Sequence, residues 1–486
     1  MYFFSFFISS MNNIIVRGFM KKLSTLYEGF PDIMINDIKI NSKEVKNGDL
    51  FVCIKGVNTD RHDYICDAIK NGAVCIVASK KINVNVPVIY VRDTNEELIN
   101  LCQKFYDYHP NDLKIIGVTG TNGKTTVASI IQNLIGKDSG YLGTNGIICS
   151  NFNEKIRNTT PDADKLYKYF KRFKDSGCKI ISMETSSEAF LRGRLKNLEF
   201  DIGILTNITE DHLNIHKTVE NYANCKKELF KQVKNSGYCI LNRDDKYYDE
   251  FNKICHSKVL TYGKKNSDLK IININESINK TEIILRYQNI EYDITSPLIG
   301  EFNVYNLCAA ILSLLALNYD IKDIIARIKN IKIPCGRMEF LDFGQKYNII
   351  LDYAHTPDAF KNIYHALNKI KTGKIITVTG SAGGREHEKR PLMGKIVLDN
   401  SNYCIFTMDD PRNEDVNDII NKLVSETNKV NYERIIDRKK AIYKALDMAM
   451  DNDIVLIAGK GDDQYMAIND EYLPYSDRKI IQTYFN

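Results

Sequence analysis

The sequence predicts an α/β protein of three domains, and three observations carry that prediction. Short runs of β-branched residues alternate with helix-like stretches along most of the chain. A glycine-rich loop joins one of those strands directly to a helix around Gly117–Thr126. The strand pattern then restarts after Ile333-Pro-Cys-Gly-Arg337. A chain of 486 residues is also too long for one ordinary core.

The start of the chain stands apart. Tyr2-Phe-Phe-Ser-Phe-Phe-Ile8 is apolar but far shorter than the roughly 20 residues a membrane span needs, and no basic flank precedes it as in a signal peptide. Residues 1–19 read as an extension, and Met20-Lys-Lys-Leu begins an ordinary pattern.

From residue 20 to 111, Asp49-Leu-Phe-Val-Cys-Ile54, Val74-Cys-Ile-Val-Ala78 and Val88-Ile-Tyr-Val91 read as strands. Helical stretches from His62 to Gly72 and from Asn95 to Tyr108 lie between and after them, giving a small α/β domain. His109-Pro-Asn-Asp-Leu113 reads as a linker. From 112 to 332 the strand before the glycine loop is followed by Lys179-Ile-Ile-Ser-Met-Glu184, Asp201-Ile-Gly-Ile-Leu-Thr206 and Tyr238-Cys-Ile-Leu-Asn242. Buried-type strands separated by helices predict a mostly parallel, doubly wound sheet. A β-rich patch at 270–297 and a helix from Asn303 to Ala316 complete this region. From 333 to 486, strands at Asn348–Asp352, Lys374–Thr379, Tyr403–Thr407 and Asp453–Ala458 alternate with helices at Pro357–Ile370 and Arg438–Met450, a Rossmann-like pattern.

Composition narrows the function classes. Hydrophobic residues make up 44% and charged residues 26%, as in globular proteins. The 66 basic and 61 acidic residues form no long one-sign block, so nucleic acid is not the expected partner. Twelve cysteines contain no Cys-x-x-Cys pair, which argues for free thiols in a reducing cytoplasm and against a zinc site. The expectation is a cytoplasmic chain, probed by small molecules and not by a membrane.

Gly117-Val-Thr-Gly-Thr-Asn-Gly-Lys-Thr-Thr126 carries the strongest chemistry. A strand, a bent loop and a helix N-terminus in that order aim backbone N–H groups and the positive helix end at phosphates. Lys124 would reach the terminal phosphates and Thr125 would ligate Mg²⁺. Glu184 closes one buried strand, and Asn207-Ile-Thr-Glu-Asp-His212 closes the next. Ligands of open α/β sheets sit at such strand ends, so Glu184 and His212 could both face the phosphates. Taken alone, His212 reads more readily as a hydrogen-bonded strand-end residue than as a ligand, because Mg²⁺ prefers oxygen. Lys226, in Tyr222-Ala-Asn-Cys-Lys-Lys-Glu-Leu-Phe230, reads from composition alone as a solvated helix lysine.

Taken together the motifs resemble the Mur ligases, ATP-dependent amide-bond-forming enzymes of peptidoglycan precursor synthesis. The resemblance covers residues 20–486. It rests on Gly120-Thr-Asn-Gly-Lys-Thr-Thr126, Asn158-Thr-Thr-Pro-Asp162, Glu184-x-Ser-Ser187, Asp211-His-Leu-Asn-x-His216, Cys225-Lys-x-x-Leu-Phe230 and Leu241-Asn-Arg-Asp-Asp245. It continues in Gly300-x-Phe-Asn-Val-Tyr-Asn306, Gly336-Arg-Met-Glu339, Asp352-Tyr-Ala-His-Thr-Pro-Asp358, Lys389-Arg-Pro-Leu-Met-Gly394, Asp409-Asp-Pro-Arg412 and Gly459-Lys-Gly461. Within the family the motifs are most similar to the branch that adds a diamino acid to UDP-N-acetylmuramoyl-L-alanyl-D-glutamate.

The resemblance implies a UDP-binding domain at 20–111, an ATP-binding domain at 112–332 and an amino-acid-binding domain at 333–486. It implies ATP contacts at Gly120, Thr121, Asn122, Gly123, Lys124, Thr125, Thr126, Asn306, Arg337 and Asp352. Ser42, Thr159, Thr160, Ser186 and Arg194 would hold the UDP-muramoyl-dipeptide. Lys226 matches a lysine that the family carbamylates, joining Thr125, Glu184 and His212 at Mg²⁺, and Lys124, Glu184, His212 and Lys226 would serve catalysis. Arg385, Asp409, Asp410, Arg412, Gly459 and Asp463 would bind the incoming amino acid. A monomer acting on small molecules is implied.

Five departures from the family pattern bear on these roles. Asn41 and Lys43 flank Ser42 where the family shows Asp-Ser-Arg. Glu188 stands where the family commonly has histidine, and Asp463 where it has glutamate. Asp410 replaces the amide of Asp-Asn-Pro-Arg, the motif that goes with meso-diaminopimelate. An acid there would repel a substrate carboxylate, neutralise Arg412 or bind the ammonium of lysine, so L-lysine and lanthionine stay open beside the favoured diaminopimelate. Another Mur-type ligase, such as a relative of folylpolyglutamate synthase, is the neighbouring reading. A nucleotide-binding shell without catalysis is the remote one.

Overall fold

The computed structural model describes residues 19–56, 59–384, 387–469 and 471–486. They form two compact units. One holds the described part of Met1–Asp112 with Pro161–Asp175 and Arg192–Asn197, and the other holds Leu113–Thr160, Ser176–Leu191 and Leu198–Asn486. All but the last residue of the N-terminal extension lies outside the described residues.

In the first unit a four-stranded parallel sheet runs in the order Ile38–Lys39, Asp49–Val52, Ala73–Ala78, Val88–Tyr90. Its two middle strands bury Leu50, Phe51, Ile76 and Val77 completely, as expected of strands covered on both faces. The helical stretch read at His62–Gly72 is two pieces, a 3₁₀ turn Arg61–Tyr64 and a helix Ile65–Lys70. The Asp60 carboxylate starts the turn by accepting from the His62 N–H at 3.1 Å. Asp93 caps the helix Thr94–Phe105 in the same manner, accepting from the N–H groups of Asn95 and Glu96.

The second unit contains an eleven-stranded sheet. Its parallel centre runs Ser139–Gly143, Ile180–Glu184, Lys114–Thr119, Phe200–Leu205, Val233–Asn242, Lys258–Gly263. Neighbouring residues of Lys114–Thr119 point to opposite faces, and what covers each face shows the double winding. Ile116 and Val118 pack with Val127, Ile130 and Ile131 of the helix Lys124–Ile135. A side chain on Gly117 would collide with Leu229 of the helix Val219–Lys231 and with Phe200. The helix Glu301–Ala316 is buried on nearly all sides, Leu307, Cys308, Ile311 and Leu314 joining the same core. Each such leucine or isoleucine contributes roughly 1.5–3 kcal/mol on burial.

The sequence reading missed two central strands. Ser139-Gly-Tyr-Leu-Gly143 carries two glycines and little β-branching, so only its neighbours define it as a strand. Lys258-Val-Leu-Thr-Tyr-Gly263 follows a short helix, and its apolar run of Val259 and Leu260 is too short to mark a buried strand. The patch at 270–297 is three antiparallel strands, Leu269–Glu276, Thr281–Tyr287 and Ile290–Ser296.

A separate six-stranded sheet in the second unit runs Glu339–Leu341, Asn348–Asp352, Ile454–Ala458, Ile375–Thr379, Tyr403–Phe406, Tyr432–Arg434. All pairs are parallel except the first. Ile350, Phe406 and Leu456 face one core with Phe360 and Val397, whereas Ile349, Ile405 and Val455 face another with Ala441 and Ile442. The four strands read from sequence are its centre; the two edge strands of three residues each are too short to show a period.

Candidate active site

The glycine loop takes the shape its residues dictate. Gly120 has φ +146° and Gly123 φ +88°, and Gly123 caps the helix that begins at Lys124. A Cβ at Gly123 would lie 2.3 Å from Asn306 Oδ1, so the loop presses closely on the buried helix Glu301–Ala316. The strand end at Thr206–Asn207 holds the loop from the other side. The Thr206 hydroxyl donates to the Asn122 carbonyl at 2.6 Å, and the Asn122 N–H donates to Asn207 Oδ1 at 3.0 Å. Lys124 folds back on the loop, its ammonium donating to the carbonyls of Gly120 at 2.9 Å and Thr121 at 2.8 Å. Burial lowers its pKa, and Arg337 adds to the shift against the opposing pull of Glu184 and Asp211.

Glu184 gathers donors at the end of its strand. Oε2 accepts from the Thr125 hydroxyl at 2.9 Å, and Oε1 accepts from the Tyr141 hydroxyl at 2.6 Å and the Thr144 N–H at 2.8 Å. Arg337 donates to the same Thr125 hydroxyl at 3.1 Å and stacks over the Tyr353 ring at 4.6 Å. Thr160 donates to the Glu184 carbonyl at 2.9 Å and accepts from the Ser186 N–H at 3.1 Å, while Thr159 meets Thr144 at 3.1 Å. Residues from several motifs thus gather on Glu184, some at its carboxylate and Thr160 at its main-chain carbonyl.

Lys226 is not a solvated helix lysine. It is buried, donates to the Gly120 carbonyl at 2.8 Å and lies 4.4 Å over the Tyr222 ring. Burial, reinforced by Lys124, holds its pKa well below the usual lysine value. His212 has φ +55° and stands 3.6 Å from Asp211. Burial would raise the Asp211 carboxyl, but His212, His355, Lys389 and Lys124 hold it down at about 2. Among the described residues no group of three or more His, Cys, Asp or Glu side chains is arranged to hold a metal by itself.

Beside the loop lies a cavity of about 500 Å³ lined by Gly123, Asn303, Asn306, Arg337, Asp352 and His355, among others. Asp352 accepts from the N–H groups of Met338 and Ala354, both at 2.7 Å, and burial raises its pKa. Asn122 donates to Asp358 Oδ2 at 2.9 Å. Loop, cavity and Asp352–Asp358 segment therefore adjoin. His355 and Asp358 were not singled out from sequence, although both lie in a quoted motif.

The residues expected to bind the amino acid cluster around the turn Gly459–Gly461, which packs on the Gly336–Tyr353 side of the same site: a Cβ at Gly461 would lie 3.0 Å from both the Gly336 carbonyl and Tyr353 Cβ. Asp410 does not neutralise Arg412. Its Oδ1 accepts from the buried Lys460 ammonium and from the Ala467 N–H, both at 2.8 Å. Asp463 accepts from the same ammonium at 3.0 Å. Among the described residues Arg412 has no ion pair. Burial pushes the neighbouring Asp409 carboxyl up to about 6 against the pull of Arg438 and Lys460. Gly459 has φ +111°, and a Cβ there would lie 2.1 Å from Asp409 Oδ2. Lys460 was not singled out from sequence, although it lies in the quoted motif Gly459-Lys-Gly461. Arg385 lies outside the described residues.

In the first unit Ser42 is buried and opens a short 3₁₀ turn capped by Asn41. Arg194 pairs with Asp162 at 2.8 Å in the same unit. Glu188 is half-buried and electrostatically near His216, whose Nε2 meets the Ser187 hydroxyl at 3.0 Å.

Residues 34–112 match the Mur ligase family catalytic domain, residues 118–314 the Mur ligase middle domain, and residues 336–461 the Mur ligase glutamate ligase domain. The chain belongs to the Mur ligase family. It is 39% identical over 471 residues to the UDP-N-acetylmuramoyl-L-alanyl-D-glutamate–2,6-diaminopimelate ligase of Aquifex aeolicus, spanning 94% of this chain and 96% of that one. With the enzyme of the same name from Bacillus cereus it shares 38% identity over 456 residues, 92% and 93% of the two chains. A solved structure of a ligase of that name superposes with a TM-score of 0.65 at 27% identity, covering 96% of this chain and 99% of the other. MurF from Acinetobacter baumannii shares the fold at a TM-score of 0.69, 16% identity, and 94% coverage of both chains. As a Mur ligase, the chain is an ATP-dependent amide-forming enzyme with the three-domain α/β fold of its family.

Proposed function

We propose that this ligase joins a diamino acid, meso-diaminopimelate in preference to L-lysine or lanthionine, to the D-glutamate of UDP-N-acetylmuramoyl-L-alanyl-D-glutamate in peptidoglycan precursor synthesis. The observation that carries the choice of acceptor is the Arg412 guanidinium, which Asp410 leaves unpaired by turning to Lys460. A planar guanidinium grips a carboxylate through two parallel hydrogen bonds, and lysine has no distal carboxylate to offer. The names of the near full-length relatives point the same way.

The reading assigns residues 20–111 to the UDP-substrate, 112–332 to ATP and 333–486 to the amino acid. Gly120–Thr126 would cradle the phosphates, with the base and ribose in the cavity beside Asn306 and Asp352. The D-glutamyl carboxylate oxygen attacks the γ-phosphorus, the bond to ADP breaks, and an acyl phosphate forms. The free amine then attacks the acyl carbon, phosphate leaves, and the amine proton is lost. Lys124 turns from the loop carbonyls to the γ-phosphate and stabilises charge there. Arg337 stacked on Tyr353 and Asn122 bonded to Asp358 tie the loop to the Asp352–Asp358 segment, and that segment would help keep water from the acyl phosphate.

Thr125 and Glu184 present two oxygens 2.9 Å apart, a donor pair suited to Mg²⁺, which when bound would neutralise phosphate charge. Lys226 and His212 would complete that site. The depressed pKa of Lys226 favours its neutral amine, which adds to CO₂ and releases a proton to become a carbamate. The same reading makes the enzyme a cytoplasmic monomer without a nucleic-acid partner. Among the described residues no helix is long and apolar enough to cross a membrane.

ADP release measured with UDP-N-acetylmuramoyl-L-alanyl-D-glutamate and each of diaminopimelate, L-lysine and lanthionine tests the reading. Diaminopimelate should give the highest kcat/KM, and Arg412→Ala should lower it far more than it lowers the value for lysine. Release that no amino acid stimulates would overturn the ligase assignment, and equal losses for both acceptors would overturn the carboxylate grip.

A further inference from the structure

Asp410 and Arg412 take the two backbone hydrogen-bonding groups of a single residue, Ala467. The Ala467 N–H donates to the Asp410 carboxylate at 2.8 Å, while the Ala467 carbonyl accepts from the Arg412 N–H at 3.0 Å. Ala467 lies in the strand Tyr465–Ile468, which pairs with Glu471–Pro474. The Arg412 carbonyl accepts from the Asn469 N–H at 2.9 Å, so residue 412 docks on the strand edge through both backbone groups. The Asp410 side chain thus supplies the acceptor that a further paired residue would have supplied.

The docking must hold an unfavourable backbone. Asp410 has φ +44° and Arg412 φ +52°, two left-handed residues separated only by Pro411. Such conformations persist where surrounding contacts over-determine them. The contacts here are the Asp410 N–H on Met466 Sδ at 3.2 Å, the Gly383 N–H on the Asp410 carbonyl at 2.9 Å, and the Asp410 carboxylate on Lys460 and Ala467. The Lys460 ammonium is buried, lies 4.8 Å over the Tyr465 ring and is shared by Asp410 and Asp463. It fixes the orientation of the carboxylate and joins the turn at Gly459–Gly461 to the segment carrying Arg412.

We propose that Asp410 is a positioning residue, which through Lys460 and Ala467 sets the Arg412 guanidinium for the acceptor's distal carboxylate and does not itself touch the acceptor. The inference rests on the acceptor reading given above. It explains how an acid occupies this place without cancelling Arg412: its charge is taken up by Lys460. The same Asp410 oxygen accepts both bonds, so an amide oxygen can replace it while the charge is lost.

Steady-state kinetics of the full-length enzyme with ATP, the UDP-dipeptide and diaminopimelate tests the proposal. Asp410→Ala should raise the KM for diaminopimelate at least thirtyfold while the KM for ATP moves less than threefold. Asp410→Asn should recover at least tenfold of that loss, and Lys460→Met should reproduce the alanine defect. The double variant Asp410→Ala/Arg412→Ala should be no worse than Arg412→Ala alone, because the first residue acts through the second. Losses that multiply, or an asparagine variant as damaged as the alanine one, would overturn it in favour of direct contact with the acceptor. If wild-type enzyme turns over no diamino acid, the acceptor reading falls and takes this inference with it. Turnover by wild type with multiplying losses sinks the inference alone.

Discussion

Lys226 donates from its fully buried Nζ to the Gly120 carbonyl at 2.8 Å, which puts a helix lysine against the glycine loop 106 residues earlier in the chain. Burying a lysine costs stability, and the depressed pKa leaves its neutral amine available as a nucleophile. If it is carbamylated, Lys226→Ala and Lys226→Arg should both lower kcat by at least about 10²-fold, in the range of one lost charge-stabilising group. Acetate or formate should partly restore the alanine variant by supplying a carboxylate. An arginine variant of near wild-type activity in the ADP-release assay would refute the carbamate.

Gly123→Ala should weaken nucleotide binding at least tenfold. The residue sits at φ +88°, and its added carbon would lie 2.3 Å from Asn306 Oδ1, on a buried helix with little room to yield. The left-handed backbone alone costs about 1–3 kcal/mol. Titration with an ATP analogue, followed by calorimetry, measures the loss; unchanged affinity would mean that the loop relaxes freely.

Asp164 predicts a pH effect on stability. It is buried, its Oδ1 has no hydrogen-bond partner, and burial pushes the carboxyl up to about 7, with Asp162 adding to the shift. A carboxyl raised above its unfolded value contributes stability below the unfolded pKa near 4, and loses it as pH rises through about 7. Relative to Asp164→Asn, wild type should therefore lose on the order of 4 kcal/mol between pH 4 and pH 8. Urea unfolding at both ends of that window checks the sign, and parallel curves would show that Asp164 ionises freely.

Arg438→Ala should cost about 3–5 kcal/mol of stability, the usual result of leaving a buried charge without its partner. Arg438 and Asp477 are 1% and 0% exposed, and the guanidinium also donates to the Ala458 carbonyl at 2.8 Å. One side chain thereby links the helix Arg438–Met448, the helix Asp477–Phe485 and the strand Ile454–Ala458. Thermal unfolding should show a single transition at lower temperature; a loss below 1 kcal/mol would mean that Asp477 finds water instead.

The sequence by itself determined the α/β class, the strand–glycine loop–helix order at Gly117–Thr126 and the strand-end position of Glu184. These depend on contiguous residues: a β-branched run, glycines at φ values other residues avoid, and a helix start within a few positions. Family motifs carried the reading to Lys226 and Asp410, but could not say what surrounds them. Only the tertiary structure decided that Lys226 is buried on Gly120, that Ser139–Gly143 is a central strand, and that Asp410 pairs with Lys460 and leaves Arg412 open. Burial and pairing are properties of partners distant in sequence, 106 residues for Lys226 and Gly120 and 50 for Asp410 and Lys460, and no local pattern records them.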